Sequence, residues 1–532
     1  MAVIGGGITG AGVALDAASR GYSVALLERS DYAAGTSSRS SKLVHGGLRY
    51  LQHFDLGLVR EALLERQLLV ALAPHLVRPL QIVVPAFDGA RLDRLVGVGL
   101  NLYDVMSVER RRGRRGSSDN WSPDRHRVIS GEEVLELLPA LAARAPTSGY
   151  LFYDCQTDDA RLVLTVLGEA ERFGAVCANG LGVEELLVAR GRATGVRARD
   201  GLSGETVVVH AAHVVNATGV WADRLRPEEL HSEAELPQIR PSRGTHLIFA
   251  DADLPLRAGA IVPAGGGRTI FALPWLGQTL VGTTDNDYEG DLEHVLPAEE
   301  DIDYLLHAVN EFFGCELGRE RIAGAFAGVR PLISSTDSKS SVDISRKAEL
   351  FETSSGMITI TGGKLTTWRR MAKMTVDRIV ESDARDAPCR THEIPLGQQI
   401  DPDELRRVVE IPDASYAALA SRYGHQATDV LRIAAERPHL AAPIVEGLPD
   451  LLAEAVHAVR HEQARGIGDV LMRRTRLGLL AARAVTAPDT LERVAGVLAE
   501  ELGWAPARRA SEIKAFQDEA VAEGIVVDSV SA

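Results

Sequence analysis

Cysteine is scarce in the chain. Four are spread over 532 residues, at Cys155, Cys177, Cys315 and Cys389, with no C-x-x-C pair. That excludes an obvious zinc or iron–sulfur site and suits a reducing compartment, so no metal is expected. A basic excess is also lacking. The formal net charge is −15, which argues against general nucleic-acid binding. No uncharged apolar run reaches the roughly 18 residues of a spanning helix. No signal peptide is visible, because the chain opens directly on a strand and a glycine turn. No internal repeat is present. What remains is a globular composition, 45% hydrophobic and 25% charged, with length for two or three domains and a large core.

The opening residues carry the strongest local signal. Gly5-x-Gly7-x-x-Gly10 follows Ala2-Val3-Ile4, and Glu28 stands 18 positions after Gly10. In a βαβ unit this spacing binds a dinucleotide. Gly5 permits the tight turn, Gly7 lets backbone approach a pyrophosphate, and Gly10 lets the helix (Ala11 to Arg20) pack on its strand. The pyrophosphate sits on free N–H groups at the positive helix end. Glu28 closes the strand Tyr22–Glu28 and can accept from a ribose hydroxyl. An ordinary glycine-rich turn is the competing reading. Three residues before the turn are few for a strand of ~5–6. Either the first strand is short, or the natural chain begins further upstream.

Further along, residues 56–73 show helical spacing and 80–87 read as a strand. The apolar stretch from Leu92 to Val108 runs into Glu109 and five arginines, Arg110, Arg111, Arg112, Arg114 and Arg115. Residues 160–173 read as a helix. Strand-like segments follow, with Val207 to Asn216 as one strand. Residues 245–285 read as short antiparallel strands. Val214–Gly219 and Ile358–Leu365 are strand–turn–helix segments able to return to the first sheet, the second with its helix from about Leu365. Beyond about 388 the pattern is helical and separate, and Gly524 to Ala532 is expected to fray.

On these residues the chain resembles the FAD-dependent glycerol-3-phosphate dehydrogenases, within the amino-acid-oxidase-like flavoproteins. The matching segments are 5–12, Thr36 to Leu51 (TSSRSSKLVHGGLRYL), Val215–Gly219, Gly282–Asp285, Gly328–Pro331 and Gly362–Thr367. Ala458–Glu462 and Asp469–Arg476 resemble the family's carboxy-terminal domain, with Gly466 and Gly468 placed where better helix formers are expected. The implied fold is α/β. It comprises a Rossmann-like FAD-binding domain (1–80, 150–235 and 325–385), an inserted antiparallel-sheet substrate domain (81–149 and 236–324) and a helical carboxy-terminal domain (388–525).

The resemblance implies FAD held by Gly5, Gly7, Gly10, Glu28, Thr36, Ser37, Ser38, Ala217, Gly219, Gly362 and Gly363. It implies oxidation of sn-glycerol 3-phosphate to dihydroxyacetone phosphate, with hydride passing to FAD N5 and electrons to a membrane quinone. A phosphate ester needs cationic donors, and arginine's planar fork suits it. Arg49, Arg330, Arg346 and Lys364 are the candidates, joined by Tyr50, Thr284 and His246. Arg330, His246 and Lys364 form the expected catalytic set. His246 has the unperturbed pKa best suited to a base near neutral pH, although a structural histidine is an equal reading. His45 is read as cofactor-loop structure.

Residues 92–116 admit two readings. One is a segment in the headgroup layer of an anionic membrane, which gives a cytoplasmic protein peripheral on the inner face of the cell membrane. The other is a core helix followed by a solvated basic loop. The functional alternatives are a glycerol-3-phosphate oxidase using oxygen, a flavin amine or amino-acid oxidase, and a non-catalytic flavin-binding protein. A homodimer through the helical region is left open.

Overall fold

The computed structural model describes residues 1–47, 56–87, 94–108, 124–225, 239–333 and 348–527. Ala2–Ile4 is a short strand of wholly buried apolar residues at the middle of a six-stranded sheet. It lies between the parallel strands Ala25–Leu27 and Val214–Asn216. Val176–Ala178 continues the sheet on one side, and Ile358–Gly362 with Ala348–Glu352 on the other. Both later strand–turn–helix segments therefore return to the sheet that carries the glycine turn.

The glycines of that turn act by close approach. Gly5 leaves the strand at φ +109°, and a Cβ there would stand 2.7 Å from the Ala217 carbonyl oxygen. A Cβ at Gly10 would stand 1.9 Å from the Gly5 carbonyl oxygen, so the helix Ile8–Ser19 can seat only with glycine at that point. Gly12 serves a different contact. The helix packs on the helix Trp368–Ser382, and a Cβ at Gly12 would lie 2.5 Å from the Trp368 ring. A third helix, Asp159–Arg172, covers its other flank.

Residues 181–210, which carry no motif, form a three-stranded antiparallel sheet of Leu181–Ala189, Arg192–Asp200 and Thr206–His210. The expected single strand from Val207 to Asn216 is two strands in two sheets. The backbone leaves one ladder at His210 and enters the other at Val214.

The largest sheet holds ten strands among the described residues and is mixed, because Gly259–Pro263 pairs parallel with Arg78–Ala86. Its long strands Ile239–Ala250 and Ile322–Ile333 pair antiparallel, setting His246 opposite Phe326 and Ser242 opposite Arg330. The region after residue 388 is helical, with Asp413–Tyr423, Ala427–Glu436, Leu452–Glu462, Pro488–Leu502 and Pro506–Ala522 as its main helices. In packing it is not separate. One apolar core joins Leu431, Val456 and Leu480 of this region to Ile248, Leu273 and Phe326 of the large sheet. The helical signature breaks at Gly466, in the irregular stretch Gln463–Gly466, whereas Gly468 is helical and a π-helical turn spans Asp469–Arg474. Gly524–Val527 does not fray. Ile525 and Val527 are buried, and the Ile525 carbonyl accepts from Ala325 N at 3.0 Å. Residues 528–532 lie outside the described residues.

Two helix-interior glycines separate packing from propensity. Gly168 has open space where a Cβ would go. Gly168→Ala should stabilise the protein by up to ~1 kcal/mol through helix propensity. Gly12→Ala offers the same gain but drives a methyl into Trp368, and should destabilise by ~1–3 kcal/mol. Urea unfolding midpoints of the two variants check the opposite signs.

Candidate functional site

The carboxyl ends of the parallel strands open onto a cavity of about 710 Å³, in the crevice where α/β sheets bind ligands. Gly5, Gly7, Glu28, Thr36, Ser37, Ala217, Gly219, Gly362 and Gly363 line one side of it. Gly244, His246, Gly328 and Arg330, from the long strands of the large sheet, line another, together with Lys364. The volume falls within the usual range for ligand pockets of ~300–1,000 Å³.

Local hydrogen bonds explain the shape of the first side. Glu28 Oε2 accepts from Gly6 N at 2.7 Å, and Oε1 accepts from Ser30 N at 2.9 Å. Burial pushes the Glu28 carboxyl up, and these N–H groups oppose the rise. The serine loop bends back over the helix start, where Ser37 Oγ accepts from Ile8 N at 3.0 Å. Thr36 Oγ1 donates to the Val329 carbonyl at 2.6 Å, which ties the loop to the strand bearing Arg330. Asn216 Oδ1 accepts from Thr218 N and Oγ1, closing the turn that presents Ala217 and Gly219. Gly362 and Gly363 both adopt positive φ, and a 3-10 turn at Leu365–Thr367 precedes the helix from Trp368.

On the second side Arg330 reaches the segment Thr283–Asp285, which follows the strand Gln278–Gly282. Its Nη2 donates to Thr283 Oγ1 at 3.1 Å and to the Thr284 carbonyl at 3.2 Å, and Nη1 is 3.4 Å from Asp285. A Cβ at Gly244 would stand 2.5 Å from Nη2, so that glycine makes room for the guanidinium. His246 stacks on Phe326 with ring centroids 4.7 Å apart and planes 9° apart. Its Nε2 is 2.9 Å from Ser41 Oγ. Burial, then the charges of Lys42 and Arg330, hold its pKa well below the ordinary histidine value. Burial first, and then these two basic neighbours, make the imidazole a weaker base than its sequence context suggests.

Three expected site residues stand away from the cavity wall. Thr284 is buried behind Arg330, where its hydroxyl accepts from Thr245 N at 3.0 Å. Ser38 is buried, and its carbonyl accepts from Lys42 Nζ at 2.6 Å and Arg476 Nη2 at 2.7 Å. Gly10 packs against Gly5. Arg49, Tyr50, Arg346 and the arginines from 110 to 115 lie outside the described residues.

Other residues complete the wall without a sequence signal to mark them. Arg29 sits over the Trp221 ring at 5.5 Å. Arg39, Ser41, Arg473, Glu519 and Glu523 also line the cavity, the last three from the carboxy-terminal helices. The family segment containing Ser41 points to the loop but not to this hydroxyl. Nothing in the sequence brings Arg473 beside the opening glycines.

The family profile described as FAD dependent oxidoreductase matches residues 1–378, and that of the C-terminal domain of alpha-glycerophosphate oxidase matches 389–509. The chain is 37% identical to "Glycerol-3-phosphate dehydrogenase 2" of Mycobacterium tuberculosis, over 98% of this chain and 88% of that protein. It is 36% identical to "Aerobic glycerol-3-phosphate dehydrogenase" of Bacillus subtilis, over 89% and 86%. The chain belongs to the glycerol-3-phosphate dehydrogenase family of FAD-dependent oxidoreductases. The glycerol-3-phosphate dehydrogenase from Bacillus halodurans, solved in complex with FAD, superposes with a TM-score of 0.78 at 30% identity, over all of this chain and 95% of that one. As a member of this family the chain is an FAD-dependent enzyme. The cavity fits the cofactor on its own terms. A Cβ at Gly5 would meet the Ala217 carbonyl, and one at Gly7 would stand 3.1 Å from Ser37 Oγ, so bare backbone faces the space between helix end and serine loop.

The neutral state of His246 is directly measurable. In a ¹⁵N-histidine NMR titration of the ligand-free enzyme, its ring should show no protonation between pH 8 and pH 6.5. A midpoint at or above 6.5 would contradict the burial and cation arguments.

Proposed function

We propose that the enzyme oxidises sn-glycerol 3-phosphate to dihydroxyacetone phosphate and delivers the electrons to a membrane quinone. One observation carries the reading. A dinucleotide-type glycine turn and the set Arg330, His246 and Lys364 share one cavity. In this reading Gly5, Gly7, Ser37, Ala217, Gly219, Gly362 and Gly363 hold FAD along the strand ends, and Glu28 takes the adenosine ribose. When bound, FAD supplies the hydride acceptor. Arg330 and Lys364 bind the phosphorylated substrate, with Arg49, Tyr50 and Arg346 assigned to the same task from sequence. Thr284 supports Arg330 from behind. His246 takes the hydroxyl proton.

Substrate charge and base strength are coupled in this arrangement. The Arg330 cation is one of the charges that depress His246. A phosphate dianion beside Arg330 offsets it, so the base strengthens when substrate arrives. The domain division 1–80, 150–235 and 325–385 for FAD, 81–149 and 236–324 for substrate, and 388–525 for the helical part belongs to the same proposal.

The helix Arg94–Val108 supports membrane contact. Tyr103 and Met106 are buried, whereas Val98, Leu102 and Val105 are 66%, 37% and 63% exposed. Their spacing makes one apolar stripe, and the chain then enters the arginine cluster. Among the described residues no helix is long and apolar enough to cross a membrane. The proposed seat is the anionic inner face, with the enzyme on its cytoplasmic side.

Under anaerobic conditions sn-glycerol 3-phosphate should bleach the oxidised flavin spectrum, and a soluble quinone should restore it. A flavin that stays oxidised would remove the substrate assignment. Arg330→Met should lower kcat/KM by about 10²-fold, because it removes a charge-assisted contact in a water-poor site. Neutral replacements at Arg110, Arg111, Arg112, Arg114 and Arg115 should release the enzyme from anionic vesicles in a sedimentation assay. Undiminished binding would remove the membrane assignment.

A further inference from the structure

We propose that the Ser41 hydroxyl relays the substrate's proton to His246 Nε2. The inference rests on the reading of His246 as the base.

The imidazole has two nitrogens and only one way out. Nδ1 is buried and has no hydrogen-bond partner among the described residues. The ring is packed with Nε2 toward Ser41. One face is stacked on Phe326, and the neighbouring strand passes so close that a Cβ at Gly282 would stand 2.8 Å from His246 Cγ. His246 is also held in register between Gly282 and Phe326. In this orientation a proton entering from the cavity reaches Nε2, and Ser41 Oγ stands there at 2.9 Å.

Ser41 is itself held from both sides. Ser40 donates to Asp159 Oδ2 from its backbone N at 3.0 Å and from its hydroxyl at 2.7 Å. Lys42 Nζ is 2.8 Å from the same oxygen and donates to the Ser38 carbonyl. Between these anchors the Ser41 hydroxyl makes no hydrogen bond other than that to His246 among the described residues, and Ser41 lines the cavity with His246, Arg330 and Lys364. The basic groups facing the imidazole are Lys42 and Arg330; burial first, and then these two, disfavour a second proton on the ring, which then offers one lone pair. With that lone pair on Nε2, Ser41 donates its proton to it. The serine oxygen then accepts from the substrate.

The step balances. The substrate O–H bond breaks, and its proton passes to Ser41 Oγ. The serine's own proton passes to Nε2, giving an imidazolium. FAD, when bound, would supply the acceptor for the hydride lost from the carbinol carbon, and the substrate would be left as the carbonyl.

The test compares Ser41→Thr with its isostere Ser41→Val. Flavin reduction by sn-glycerol 3-phosphate is followed by anaerobic stopped flow in H₂O–D₂O mixtures. Native enzyme and S41T should show curved proton inventories and agree in rate within about threefold. S41V should be slower by about 10²-fold, with a linear inventory. A readout independent of turnover is the ¹⁵N resonance of His246 Nε2 in the substrate-free protein, which should move in S41V and not in S41T. If S41V fails to retain flavin, S41A provides the same comparison without the added methyls. A hydroxyl-free variant with native rate and native inventory overturns the relay. His246→Gln with a native rate of flavin reduction overturns the underlying base assignment instead. A slow H246Q beside a fast S41V removes the relay alone.

Discussion

The site depends on buried charge joining the two ends of the chain. Asp31, just after the first βαβ unit, is paired with Arg473 and Arg474 of the π-helical turn. Asp159 is shared by Lys42 and by Arg476, which reaches it at 3.0 Å. Burial alone would raise the Asp31 carboxyl, but Arg474 and Arg473 overcome it and hold the group below its ordinary value. Taking one partner away from such a set leaves a charge stranded in low dielectric, at a cost of about 3–5 kcal/mol. The serine loop between Asp31 and Lys42 has little apolar content to fold on. It is held as a wall of the cavity because guanidinium groups from the far end of the chain fix both its flanks.

That arrangement explains which parts were legible in sequence. Gly5, Gly7 and Gly10 are local: their spacing encodes a turn and a helix contact within one βαβ unit, so they can be read from a single stretch. The returning strands at Val214 and Ile358 were readable for the same reason, since each carries its own turn. The meander at 181–210 has no chemistry-bearing residue and gave only strand-like texture. The break between His210 and Val214 was invisible because both flanking segments are apolar and β-prone. What separates them is which sheet each joins.

The site itself was legible where family segments name residues, and less so where tertiary contact assigns the role. Thr284 reads as a wall residue yet stands behind Arg330. His246 reads as a base near neutrality, but burial first, and then Lys42 and Arg330, lower its basicity, and all three arise only in the folded chain. Ser41, Arg473 and Glu519 reach the cavity through long-range contacts that no local pattern records. The helical region likewise reads as a separate unit, because its periodicity changes. Its apolar faces nevertheless close the core of the large sheet at Phe326 and Leu273.

The contribution of Arg473, Glu519 and Glu523 to the cavity wall has a consequence for biosynthesis. In synthesis the glycine turn is made well before these three residues. The pocket's last wall arrives only when the stretch from Arg473 through Glu523 has been made. Until Arg473, Arg474 and Arg476 are made, the serine loop lacks the guanidinium groups that fix it. Flavin capture is in this sense a closing event of synthesis, and a truncated translation product has a nucleotide fingerprint without a finished place to keep the nucleotide.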